Sequence, residues 1–366
     1  MAVTNLGIVA ALIAGSLFTG ATAVSGEMGN HGAGHRQSSN LHVSKASSTP
    51  CDRYAAPWGS KHGNGSAAHP VHGPFRLVRM LRAGQTGCLR TGIYREEDTT
   101  VKRANVTLRS APGERATWRG RVVLQGRGDR LIELNLDGSY GPRCSSSACG
   151  TLPSPTINAP DAVIAANDIT SPDSGICVHP RAWRRLRPNH FHILGNRIHN
   201  CGRKPHTDHD HGIYVADGSG GQIIDNVVFD NADRGIQLYP DAHQTLVVNN
   251  TVDGNGSGVV YSERSSGNKV RDNIFTNSVV RWNAETYNLR GSGNLFSGNC
   301  VRAANRNPRY NERGGVELPR MVAQRSNRRA RDPVYLARTA GDYRVRRTSA
   351  CAGKGAPDSI AAPFRP

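Results

Sequence analysis

Between residues 206 and 215 the chain reads HTDHDHGIYV, with three imidazoles and two carboxylates in six positions, followed at once by an alternating apolar segment. Three chemistries are open to such a set. His206, His209 and His211 in one loop can converge on a transition metal, imidazole being the commonest ligand for such ions. Asp208 and Asp210 offer the oxygen ligands that suit Ca²⁺. Alternatively, His209 and His211 can serve acid–base work on a substrate, provided a cation and proton donors stand nearby. The plain alternative is a solvated loop of paired Asp and His side chains.

The apolar segment after the motif shows how the motif is held. Four segments align: SGICV at 174–178, HGIYV at 211–215, RGIQL at 234–238 and SGVVY at 257–261. Their glycines, Gly175, Gly212, Gly235 and Gly258, lie 37, 23 and 23 residues apart. A second column of Asn167, Asn196, Asn226, Asn250 and Asn273 runs in the same frame, at intervals of 29, 30, 24 and 23. Short alternating strands repeating every 23 residues predict an all-β parallel solenoid, because no single turn can bury its own apolar face whereas stacked turns close a continuous core. Ile176, Ile213, Ile236 and Val259 are expected to stack inward, with Val178, Val215 and Leu238 beside them. The asparagines are expected at a bend, bonding from coil to coil where left-handed backbone is tolerated.

The frame also divides the motif. Asn196 to Gly212 spans 16 positions against 8 or 9 elsewhere, and Gly175 to Asn196 spans 21 against 14 or 15. The excess falls in CGRKPHTDHD and in HPRAWRRLRPNH, so one coil carries both an Asp/His-rich loop and a basic loop with Arg181, Arg184, Arg185 and Arg187. Insertions in solenoids crowd the binding face. Stacking the frame aligns Ser174, His211, Arg234 and Ser257; Cys177, Tyr214, Gln237 and Val260; and His179, Ala216, Tyr239 and Ser262. The outward patch expected from this holds His211, Tyr214, Arg234, Gln237 and Tyr239, with Glu263 and Arg264 one turn on. His190 and His192, alternating around Phe191, read as structural.

The 366 residues carry a formal charge of +18 with 6% aromatic content. Such a surface either attracts acidic polymers or reflects a compositional bias to arginine. No nucleic-acid recognition motif is present, so nucleic acid ranks last among partners. An apolar run from Leu6 to Phe18 followed by Ala21-Thr22-Ala23 predicts an export signal over 1–23, though no Lys or Arg precedes it. It is too short for a membrane span, so no stable membrane insertion is expected. Residues 24–50 are Gly, His and Ser rich and are expected to be a disordered leader. Eight cysteines, an even number, fit the oxidising compartment of a secreted protein. Their connectivity is not fixed by sequence. Cys144 and Cys149 would close a short loop, Cys177 and Cys201 lie in the motif region, and pairing of Cys51 with Cys88 and of Cys300 with Cys351 would staple the two ends.

GCLRTGIYRE at 87–96, VTLRSAPGERATWRGRVVLQG at 106–126 and DPVYLARTAGDYRVRRTSACAGKGAP at 332–357 resemble the opening, first coils and closing segment of right-handed parallel β-helix proteins of the pectate-lyase-like class. The resemblance covers roughly residues 75–355. It implies a single right-handed parallel β-helix domain over 51–366, with an N-terminal cap and a closing segment, acting as a secreted monomer on an acidic polysaccharide. The scaffold carries lyases, epimerases, hydrolases and binding proteins alike. For β-elimination, or C5 epimerisation, Arg234 would neutralise the substrate carboxylate, His211 would be the base, Tyr214 or Tyr239 the acid, and His209 a further catalytic group. Lys204, Gln237, Arg264, Arg184 and Arg185 would bind substrate. Ca²⁺ on Asp208 and Asp210 would replace or assist the arginine, and it is the one cofactor considered. The alternatives are a non-catalytic glycan- or surface-binding β-helix, and a glycoside hydrolase using a pair from Asp208, Asp210, Asp233 and Glu263.

Overall fold

The computed structural model describes residues 49–145, 150–302, 315–331 and 334–363. The expected export signal and all but the end of the leader lie outside them, as does Cys149. Among the described residues the chain winds into coils that contribute strands to three parallel sheets, two of twelve strands and one of five. The five-stranded sheet consists of β1 (Ile213–Ser219), β2 (Arg234–His243), β3 (Ser257–Ser262), β4 (Ala284–Tyr287) and β5 (Val316–Glu317), paired in that order. This is the right-handed parallel β-helix that the repeat and the resemblance predict.

The period of the sequence becomes the register of the sheets. Ile213 pairs with Ile236 and Ile236 with Val259, each 23 residues on. Three aliphatic stacks meet in the interior: Ile164, Ile193, Ile223 and Val247 from the first sheet, Ile169, Ile198, Val228 and Val252 from the second, and Ile213, Ile236 and Val259 from the third. All are essentially without solvent contact. At about 25 cal/mol per Å² of apolar surface removed from water, this shared core is the main term holding coil to coil.

The asparagine column forms the expected ladder. From Asn167 to Asn273, each backbone N–H and each side-chain amide donates to the Oδ1 of the copy one coil on, at 2.8–3.0 Å. The ladder continues to Asn299 and Asn327, and a second corner carries Asn231 on Asn255. One detail differs from expectation. The left-handed residue is the one before each asparagine, as at Asp225, Asn249 and Asp272 with φ 60°, 54° and 59°. The preceding residue makes the bend, and the asparagine amide bonds to the copy in the next coil.

Another difference concerns the first turn of the site sheet. Val178, not Ile176, bridges to Ile213, so the SGICV segment is slipped by two residues from the frame of its later copies. Cys177 is drawn inside and bonded to Cys201, both without solvent contact. Ile176 therefore leaves the inward stack and faces a cleft on the outer side of the sheet. His179 takes the place beside Tyr214, donating Nδ1–H to its carbonyl at 2.9 Å.

The two ends are closed by different means. A short helix, α1 (Gly73–Met80), packs Leu77 against Gly87, where a Cβ would approach Leu77 and Leu81 to 3.0 Å or less. Gly92, with φ 139° and Pro57 where its Cβ would be, explains the second glycine of the opening segment. Cys51–Cys88 and Cys300–Cys351 staple the ends in the pairing considered from sequence. The closing segment forms a hairpin of Tyr335–Ala337 with Asp342–Val345 and runs back along the second sheet, packing Tyr335 and Tyr343 on Phe229 and Ile274. Arg338 pairs with Asp253 and Asp230, and Lys354 meets Asp272 at 2.5 Å. Among the described residues no helix is long and apolar enough to cross a membrane.

Candidate active site

On the outer face of the five-stranded sheet lies a cleft of about 380 Å³. His209, His211, Tyr214, Arg234, Gln237 and Tyr239 line it together, with Asp208 at its edge. The sheet supplies most of them for a simple reason: alternate residues of β1 and β2 must point outward, and register sets Tyr214 beside Gln237. Tyr239 belongs to a bulge, since β2 advances three residues from Leu238 to Asp241 while β1 advances two. Its ring stacks on Tyr214 at 6.2 Å, and Tyr214 in turn meets His179 at 4.6 Å.

The inserted loop is pinned to the next coil. Asp210, fully buried, accepts the backbone N–H of Arg203 at 3.0 Å and its Nε at 2.7 Å. The Asp210 N–H donates to Asp233 Oδ2 at 2.8 Å, the Thr207 hydroxyl donates to the same oxygen at 3.2 Å, and His206 Nδ1 donates to the Ala232 carbonyl. These contacts settle the opening motif. His206 is turned away, Asp210 sits in the loop's base, and only Asp208, His209 and His211 reach the cleft.

The metal expectations are corrected by this placement. The Asp210 carboxylate is spent on Arg203, whereas that of Asp208 faces Arg234 at 3.1 Å, so the two do not share a cation. His206, engaged on Ala232, does not converge with His209 and His211. Among the described residues no three His, Cys, Asp or Glu side chains form a metal-holding group. The residues present do not fit Ca²⁺ or a transition metal.

Arg234 and His211 are 5% and 3% exposed. Arg234 Nη1 donates to the Asp208 carbonyl at 2.9 Å, its Nε is buried without a partner, and no hydrogen bond to Nη2 is found among the described residues. His211 Nδ1 accepts the Arg234 backbone N–H at 3.3 Å. Burial, then the charge of Arg234, then His179 and His209, hold the His211 pKa well below the usual imidazole value. The neutral ring is therefore favoured, and with Nδ1 accepting from the Arg234 backbone its other nitrogen is left toward Gln237. Burial, reinforced by Tyr239, pushes Tyr214 up to about 12, so it keeps its proton.

Of the expected substrate-binding residues, only Gln237 lines the cleft. Lys204 sits on the exposed outer side of the loop, where its charge is felt by Asp230. Arg264, 69% exposed at its side chain, pairs with Asp241 at 3.1 Å. Arg184 and Arg185 lie in the other insertion, with Arg184 over the Trp183 ring. Sequence reading missed Arg281 and Tyr287 in the cleft wall and Glu285 beneath it. The signal was present, because Glu285 continues the column of Tyr214, Gln237 and Val260. It was hidden because NAETY at 283–287 lacks the glycine that marks the other copies.

Burial of two neutral histidines has a measurable consequence. Burial pushes His179 down to about 3, and His211 moves in the same direction. With both folded pKa values below the unfolded value near 6.5, their stabilising contribution is complete above about pH 6.5 and falls as pH drops below it, by roughly 1.4 kcal/mol per pH unit per histidine. Urea unfolding between neutral pH and about pH 5 is expected to show that loss in the native protein. The double variant His179→Gln/His211→Gln should have a shallower acid slope; equal slopes would contradict the neutral buried state.

Residues 145–303 match a family model described as "Right handed beta helix region". Among solved structures, a pectate lyase, Pel9A, superposes with a TM-score of 0.58 at 11% identity, covering 77% of this chain and 78% of that one. A rhamnogalacturonan lyase gives 0.48 at 11% identity, over 81% and 93% of the two chains. The periplasmic alginate epimerase AlgG gives 0.41 at 12%, over 68% and 60%. No curated protein matches the chain in sequence. The fold is thus a right-handed parallel β-helix, and at such identities the likeness to the pectate lyase is one of fold.

Proposed function

We propose that the protein binds an acidic polysaccharide in this cleft and cleaves it by β-elimination. The observation that carries the reading is Arg234, a nearly buried guanidinium at the cleft floor whose Nη2 has no hydrogen bond among the described residues, beside a neutral imidazole and two stacked tyrosines. A uronate carboxylate on Nη2 would have its negative charge offset in a poorly solvated site, which acidifies the neighbouring C5 proton. His209, exposed at the cleft mouth, takes the base role, with His211 Nδ1 already engaged by the Arg234 backbone. His211 Nε2–H is the donor for the developing enolate, and Tyr214 or Tyr239 protonates the leaving oxygen.

Two features favour this over hydrolysis. Asp208 is the sole carboxylate among the described cleft-lining residues, and it is engaged by Arg234, whereas Asp233 and Asp210 are buried in the loop's base. Glu263 pairs outward toward Arg290. A hydrolase needs two carboxyl groups across the scissile bond, and that pair is missing from these residues. The disulfides support a reading in which the working protein is exported to an oxidising compartment.

The test is incubation with polygalacturonate, alginate and glycosaminoglycans, following the ultraviolet absorbance of the unsaturated uronate product. A rise on one of them supports the lyase. Changed uronate stereochemistry by NMR without absorbance would convert the proposal to an epimerase. Saturable binding without turnover, unaffected by His209→Ala, would replace it with a glycan-binding protein, and absence of any binding would overturn it.

A further inference from the structure

The cleft contains a second guanidinium that the reaction above does not use. Arg281 lies in the segment entering β4, and its backbone N–H donates to the Gly256 carbonyl at 2.8 Å. Gly256 precedes Ser257, which pairs with Arg234 one coil below. The backbones of the two arginines are therefore two strand spacings apart along the coil axis, roughly 10 Å, and both side chains line the cleft. Glu285, 1% exposed, holds Arg281 from beneath, with Nε donating to Oε2 at 3.0 Å. Burial pushes the Glu285 pKa up, and Arg281 draws it back down.

Between the two cations the floor is polar. Gln237 lines it, 6% exposed and directed toward His211, and Glu285 lies buried beneath it beside Ser257. Tyr239 and Tyr287 also line the cleft. A polyuronate lying along the axis that gives one carboxylate to Arg234 presents the carboxylate two sugars on at about this separation, with a hydroxyl-bearing sugar above Gln237.

We propose that Arg281, positioned by Glu285, is a second carboxylate-binding point that makes the cleft select acidic glycans of at least three sugars. The proposal rests on the acidic-polysaccharide reading and adds to it a length requirement and the residues that set it. Glu285 is a positioning residue, since it acts through Arg281.

The test is calorimetric titration of the whole protein with the dimer, trimer and tetramer of galacturonate and of mannuronate. In the native protein the step from dimer to trimer should raise affinity by about 10- to 100-fold, the scale of one charge-assisted contact. Arg281→Ala should abolish that step and leave dimer affinity unchanged. Glu285→Ala should reduce it, and Glu285→Gln, which keeps an acceptor oxygen for Nε, should restore much of it. A merely structural role for Glu285 predicts equal losses for dimer and trimer. A trimer gain that persists in Arg281→Ala, while binding still requires Arg234, overturns this proposal alone. Failure of every oligomer to bind the native protein sinks the acidic-glycan reading and this inference with it.

Discussion

Arg234→Ala is expected to weaken binding of an acidic polysaccharide by about 30- to 1,000-fold, or roughly 2–4 kcal/mol, because it removes the cation from a desolvated site where no solvent charge can replace it. Three consequences of the geometry make the result specific. Affinity for a neutral glycan should not change, since the lost contact is to a carboxylate. Arg234→Lys should recover only part of the loss: one ammonium cannot both occupy the Nη1 position on Asp208 and reach the ligand as the two ends of the guanidinium do. The His211 pKa should rise in Arg234→Ala, because the Arg234 charge is the second-largest cause of its depression. Titration of the imidazole by NMR reads this even if no substrate has been found. Unchanged affinity for every acidic polymer would remove Arg234 from the site and leave the cleft without a carboxylate anchor.

The second large effect is on stability. Asn250→Ala is expected to cost about 3–5 kcal/mol, at the upper end of single substitutions. The Asn250 amide donates to the carbonyls of Ile223 and Val248 and to Asn273 Oδ1, and its oxygen accepts from the Asn226 backbone and side chain. All lie in an interior corner, where Asn250 has no solvent contact. Truncation leaves several of these groups unpaired in a dry site, and no water-sized replacement can reproduce five directed bonds along the axis. Lys269→Ala, on an exposed position of the same wall, should stay within about 0.5 kcal/mol. Equal unfolding midpoints for the two variants in urea would show that the ladder is decorative and that the aliphatic stacks alone hold the coils.

The ladder was legible in the sequence, and so was the core, because in a solenoid each residue's main neighbour is its own copy one period away. The same logic located the cleft, since two insertions in one coil break the period where the chain has something to add. What repeats could be read; what does not repeat could not. The slip of SGICV accompanies the Cys177–Cys201 bond, a contact across coils that no single strand encodes. The distribution of cations is another case. The arginines at 184 and 185 are abundant in sequence yet lie off the cleft, whereas Arg281 enters it from a coil whose copy of the motif has lost its glycine.

HTDHDHGIYV illustrates the division within ten residues. The sequence by itself determined that HTDHD is inserted and that GIYV is a repeat strand beside RGIQL, because period and alternation are local properties. Only the tertiary structure decided what the polar atoms do. Asp210 turns inward to Arg203, His206 to Ala232 and Asp208 to Arg234, and the Arg234 backbone N–H donates to His211 Nδ1. Those outcomes depend on which buried donor finds which acceptor across coils, and such pairing is settled by three-dimensional proximity and desolvation rather than by spacing along the chain.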